Sequence, residues 1–173
     1  MNPHLKKLLS DRKSAVLEEW REVMMRPFSK EFQGFVRRQP DPFANPVGGA
    51  IREVTEAVFE ALLADEWDGG RFARELDQVV RIGAVQDIAP SQAAGFTLAF
   101  KGALRQALGA EAASNGMGPA LQEAEARLDA VALQAFDLYL ACREKIYELR
   151  VHDIKRGVRA FIEPTSERQF QPQ

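Results

Sequence analysis

Apolar residues recur along this chain every three or four positions, the spacing that gathers them on one side of an α-helix. No stretch alternates apolar and polar residues with a period of two, so the pattern predicts helices and no strands. Asn2-Pro3 reads as a cap followed by a first-turn proline and opens a short helix to about Leu9. Ser10-Asp11 then caps a second helix to about Arg26, with Ala15, Val16, Trp20, Val23 and Met24 at helical spacing. Pro27 breaks it, and Ser29 caps a short helix carrying Phe32, Phe35 and Val36. Asn45-Pro46 repeats the cap-plus-proline signal for a helix to about Ala64, whose buried face is Ile51, Val54, Thr55, Val58, Phe59, Leu62 and Leu63. A helix over 71–86 buries Phe72, Leu76, Val79, Val80, Ile82 and Val85. The next, over 90–108, carries Phe96, Phe100 and Leu104 on one stripe. Gly95, Ala99 and Gly102 lie on another, a small-residue face that a second helix can approach closely. Gly109 to Gly118 reads as a loose turn.

The last element dominates the architecture. Gly118-Pro119 opens it and no further proline occurs until Pro164, which brackets one helix of about 44 residues and about 65 Å. Between Leu128 and Leu149 its apolar face is broad and includes Leu128, Ala135 and Cys142, as suits a helix packed on its own domain and on something else. A second series, Leu133, Leu140, Tyr147, Ile154 and Phe161, runs seven apart. After Tyr147 it is joined only by Val151 and Val158, giving the narrow seam of a coiled coil. The expectation is an all-α bundle of six or seven helices. Residues 1–117 form its body, 118–162 a long helix that leaves the body to pair with its twin, and 163–173 a disordered polar tail. The predicted dimer face combines the Gly95, Ala99 and Gly102 stripe with Leu128, Leu133, Ala135, Leu140, Cys142, Tyr147, Val151, Ile154, Val158 and Phe161.

Composition narrows the function classes. A chain of 173 residues, 46% of them hydrophobic, is one domain with a full core. A net charge of −2 removes the bulk electrostatic case for nucleic acid or an anionic membrane. Acids also interrupt the basic residues between Arg143 and Arg159. No window approaches 18 apolar residues, so no membrane insertion is expected, and the N-terminus lacks the run of a signal peptide. A single cysteine fits a reducing cytoplasm. Catalytic and cofactor patterns are missing as well: no P-loop, no G-x-G-x-x-G, and histidines only at positions 4 and 152. Glu148 and His152 stand four apart, not at the Glu-x-x-His spacing of a di-iron bundle. Between Arg71 and Leu108 there is no His, Cys, Met or Tyr to ligate haem. The expectation is a non-enzymatic protein without cofactor or metal.

Two stretches hold polar residues that core packing leaves unexplained: DPFANPVG, from Asp41 to Gly48, and RIGAVQDIAPSQAAGF, from Arg81 to Phe96. In the first, Asn45 should accept a backbone N–H at the start of its helix, Pro42 and Pro46 fix the turn, and Phe43 is expected as an apolar plug beneath it. Gly48 and Gly49 are expected to allow close helix approach. In the second, Asp87 or Ser91 can cap the helix that starts near Pro90. Arg81, Gln86 and Gln92 either hydrogen-bond across to the 41–49 turn or, with Ser91, line the polar end of a cavity for a small apolar or mixed ligand.

Together these stretches resemble the N-terminal domain of the RsbR-type co-antagonists of the RsbT kinase, specifically the RsbRD group, over roughly residues 8 to 110. The resemblance implies a haem-free, globin-like sensor domain in stress-response regulation. It implies a homodimer formed through the last two helices, which signals to another protein. In that family the last helix runs on towards a STAS output module, which these 173 residues do not include. Partner switching with RsbT is therefore not carried over, and the partner protein is left unidentified. A structural scaffold with no ligand is the alternative. A cavity of roughly a few hundred cubic ångströms beside Phe59, Leu76, Phe96 and Phe100 would favour sensing over scaffolding.

Overall fold

The computed structural model describes residues 2–114 and 116–162, with the side chains of 109–114 and 160–162 excepted. The predicted disordered tail and the side chain of Phe161 lie outside the described residues. Within them the chain forms helices α1 (Pro3–Asp11), α2 (Lys13–Met25), α3 (Lys30–Arg38), α4 (Pro46–Leu63), α5 (Ala73–Val85), α6 (Pro90–Ser114) and α7 (Gly118–Ile162), and no strand.

Local signals start several of these helices. The Asn2 side chain accepts N–H groups from His4 and Leu5 ahead of Pro3, and the Ser29 hydroxyl accepts that of Phe32. Ser10 and Asp11 do not cap α2 as expected. Ser10 belongs to α1, where its hydroxyl donates to the Lys6 carbonyl at 2.8 Å, and the junction with α2 falls at Arg12. α6 also overruns its expected end at 108. Ala107, Ala110, Ala112 and Ala113 are strong helix formers and outweigh the cost of Gly109, about 1 kcal/mol.

The antiparallel pair of α6 and α7 is the spine. Its register is fixed by Lys101 with Asp129 at 2.5 Å and Arg105 with Glu125 at 2.6 Å. α2 packs on α6, α5 on α7, and α4 bridges α2 and α5. Trp20 stands at the centre, stacked on Phe100 with centroids 4.0 Å apart and an interplanar angle of 3°. Its Nε1–H donates to the Phe96 carbonyl at 2.7 Å, so a large apolar ring is buried without an unpaired donor. Trp20→Phe removes that donor and part of the stacked area. We expect a loss of about 2 kcal/mol in urea unfolding followed by circular dichroism.

Burial along α7 splits the two apolar series seen in the sequence. Leu128, Val131, Ala135 and Tyr139 are buried against the body, with Cys142 half-buried beside them. Leu128 and Ala135 therefore belong to the domain's own core and not to an external face. With Val131 and Tyr139 they form, at three- and four-residue steps, the inward stripe facing α5 and α6. Leu133, Leu140, Tyr147, Val151, Ile154 and Val158 are all exposed. From Tyr147 to Arg159 every residue is exposed, so α7 projects about 18 Å beyond its packed segment. Val85, expected inside, is exposed because α5 ends there and the chain turns away.

Candidate functional site

The turn before α4 is organised by Asn45, which is only 1% exposed. Its Oδ1 accepts the Gly48 N–H at 2.9 Å, while Nδ2 donates to the carbonyls of Gln39 at 2.9 Å and Val36 at 3.2 Å. One side chain thus caps the start of α4 and satisfies carbonyls at the end of α3. Asp41 folds the loop, its carboxylate accepting the Phe43 N–H at 3.1 Å and its carbonyl the Asn45 N–H at 2.9 Å. Arg52 ties the far side by donating to the Pro40 carbonyl at 2.9 Å.

Phe43 is not the expected plug. It is 96% exposed, because the turn made by Asp41 sets it at the outer tip and Asn45 already fills the space beneath. The two glycines serve this turn and not a neighbouring helix. A Cβ on Gly48 would stand 2.2 Å from Asn45 Nδ2, and one on Gly49 would stand 3.2 Å from Pro42 Cβ.

The α5–α6 turn is held from α7, not from the 41–49 turn. Asp87 has a φ of 55°, a left-handed conformation uncommon outside glycine but more open to aspartate than to most residues, and the next residue's N–H returns to the Gly83 carbonyl at 3.0 Å. The Asp87 carboxylate pairs with Arg143 Nη1, which also donates to the Ala84 carbonyl at 3.0 Å. Arg143 Nη2 donates to the Tyr147 hydroxyl at 2.9 Å, and the guanidinium lies 5.0 Å from that ring's centroid. One residue further along the turn, the Ile88 carbonyl accepts the Tyr139 hydroxyl at 2.7 Å. Asp87 is therefore engaged with α7 and does not cap α6, whose first bonds run from the N–H groups of Gln92 and Ala93 to the Ala89 carbonyl. Arg81 is exposed and paired with Asp77 one turn earlier at 2.6 Å. Gln86, Ser91 and Gln92 are exposed, and among the described residues no hydrogen bond joins them or Arg81 to the 41–49 turn.

A half-open pocket with a cavity volume of about 40 Å³ lies between the end of α2 and helices α4, α5 and α6. Of the residues expected at a ligand site only Gln92 reaches it, at the rim, and of the expected lining only Phe96. Tyr139 and Arg143 carry the contacts of the second loop, and sequence reasoning missed both. The available signal was a phenol on an inward apolar stripe, which needs a partner when buried.

The ion pair also sets a pH response. The hydrogen bond from Arg143, and then its charge, lowers the Asp87 carboxyl below the ordinary aspartate range, and the same bond raises Arg143. A group depressed in the folded state contributes above its unfolded pKa and loses that contribution as pH falls through the folded value. The Asp87–Arg143 clamp is thus intact at neutral pH and opens only in acid. Carboxyl ¹³C titration should give Asp87 a midpoint below that of ordinary aspartates, and Arg143→Ala should return it to the ordinary range.

Among the described residues no group of three His, Cys, Asp or Glu side chains is placed to hold a metal ion. None of the described helices is long and apolar enough to cross a membrane. No curated protein and no solved structure matches the chain. The family described as the RsbT co-antagonist protein rsbRD N-terminal domain matches residues 14–153, which take in both loops, the cavity and the packed length of α7. This all-α chain, with its two ordered loops set against a long last helix, belongs to the RsbT co-antagonist rsbRD N-terminal domain family.

Proposed function

We propose that this chain is a regulatory domain of stress signalling that works without haem as a homodimer and passes its signal to a partner protein through the end of α7. Family membership points to stress-signalling regulation. The observation that carries the rest is the exposed seam of α7. Tyr147, Val151, Ile154 and Val158 repeat at three- and four-residue steps on a projecting helix, the spacing of the contact positions in a coiled coil. Large apolar side chains left exposed in such a row mark an interaction face. α6 supplies a second half. Open space faces Gly95 and Gly102, Leu98 is exposed between them, and the ion-pair register sets this surface level with Leu133 and Phe136. Two copies meeting there would form a four-helix contact, and a change in its packing would be carried along α7 to its tip. Light scattering at micromolar concentration should give twice the chain mass of 19.3 kDa, and the purified protein should show no Soret band.

A scaffold without a ligand is the second reading. It is favoured by the solid packing of Phe59, Leu76 and Phe100, all fully buried, and by a cavity of about 40 Å³, far below what a drug-sized molecule fills.

A further inference from the structure

The small cavity has a wall and a connection that suit it to a sensing task on a different scale of ligand. We propose that it binds a neutral apolar molecule of only a few heavy atoms, and that occupancy is transmitted to α7 through Ile88. The relay rests on the reading of α7 as the output, whereas the binding site does not.

Met24, Ile51, Val79, Ile88 and Phe96 form much of the wall, Gln92 stands at the rim, and no lining side chain is ionisable. A volume of about 40 Å³ would admit roughly three waters, but each water needs two to four polar partners. The Gln92 amide is the one polar side chain there, so water inside is held by few protein partners and an apolar occupant is favoured. The size excludes haem and any drug-sized ligand. A charged ligand would lose its hydration without gaining a partner.

The connection is a matter of adjacency. The Ile88 side chain lines the cavity while its own carbonyl accepts the Tyr139 hydroxyl at 2.7 Å. The residue before it, Asp87, is paired with Arg143. Gly83, also in the wall, accepts the Ile88 N–H, and a Cβ on it would stand 3.3 Å from Ala93 Cβ, so α5 and α6 have little slack here. An occupant that pushes Ile88 outward by a few tenths of an ångström therefore moves both anchor points of α7 together. A ligand shifts such an equilibrium only by its differential affinity for the two arrangements, and a contact with Ile88 provides one.

Xenon is the probe, since it is a neutral, apolar atom that enters apolar cavities. The chain has four methionines and two tyrosines, which gives a sparse methyl and aromatic ¹³C NMR spectrum. Under xenon pressure the Met24 methyl should shift saturably while that of Met117, buried but outside the cavity lining, stays put. The Tyr139 ring carbons, which do not line the cavity, should shift with the same midpoint. Val79→Phe, which adds bulk from a half-buried lining position, should abolish both responses. A wild-type Met24 resonance that does not respond overturns the site. A Met24 response without one at Tyr139 overturns the relay and leaves the site standing. Light scattering on the same sample reads the dimer separately, so a xenon-binding monomer would count against the function proposed above and not against the cavity.

Discussion

Asn45→Ala should cost about 3 kcal/mol, the largest loss expected from any single side chain in the two loops. Loss of the cap contributes about 1 kcal/mol, and two carbonyls left without their donor add about 1 kcal/mol each at the low end. In a chain of 173 residues that corresponds to a fall in Tm of about 6–12 °C. Gly48→Ala should reach a similar figure by another route. Its new Cβ would stand 2.2 Å from Asn45 Nδ2 and 2.9 Å from Oδ1, so the amide must leave the place where all three of its bonds are made. Because both substitutions remove the same contacts, the double variant should be much less destabilised than the sum of the two. Urea unfolding of the four proteins measures this directly. Additive losses would show that Gly48 has a role apart from making room for Asn45. Gly49→Ala, facing Pro42 Cβ at 3.2 Å, asks only a small shift of the turn and should cost no more than about 1 kcal/mol.

How far these features can be read from the chain depends on the range of the interaction behind them. The cap at Asn45 is legible because it is made within three residues, and the sequence Asn-Pro announces it. The other half of the same side chain, its bonds to Val36 and Gln39, depends on where α3 ends and carries no local signature. Phe43 is misread for a related reason: a phenylalanine among prolines looks like a plug, and only the direction of the turn places it outside. The second loop fails at longer range. Its partners Tyr139 and Arg143 are more than 50 positions further along, so local polarity suggested a match with the nearer 41–49 turn. The helices themselves are well marked by period and by prolines, and the errors at their ends, at Ser10 and beyond Leu108, come from weak caps and alanine-rich continuation. In α7 both apolar series were visible. Which of them the body would take up was not, because Leu128 and Leu133 are equally apolar and only the placement of α5 and α6 selects between them.

That selection leads to the second large effect. Leu140→Glu and Ile154→Glu place a carboxylate on the exposed series, at one site beside the body and at one on the projecting end. In a lone chain both positions meet water, so the fold should be little affected, within about 0.5 kcal/mol. In a paired seam the same carboxylate is removed from water beside its own copy. Burial and like-charge repulsion then act together, each worth several kcal/mol. The double variant should therefore run in light scattering at the mass of one chain, 19.3 kDa, while its thermal unfolding at low concentration matches that of the parent. Leu128→Glu is the contrasting case. It puts the charge into the domain's own core and should unfold the protein, whatever its oligomeric state. If the double variant keeps twice the chain mass, the seam is not what joins two copies, and the proposed route from the body to a partner along α7 loses its basis. If it becomes a stable single chain, the exposed series on α7 has the one role that burial in the lone chain does not explain.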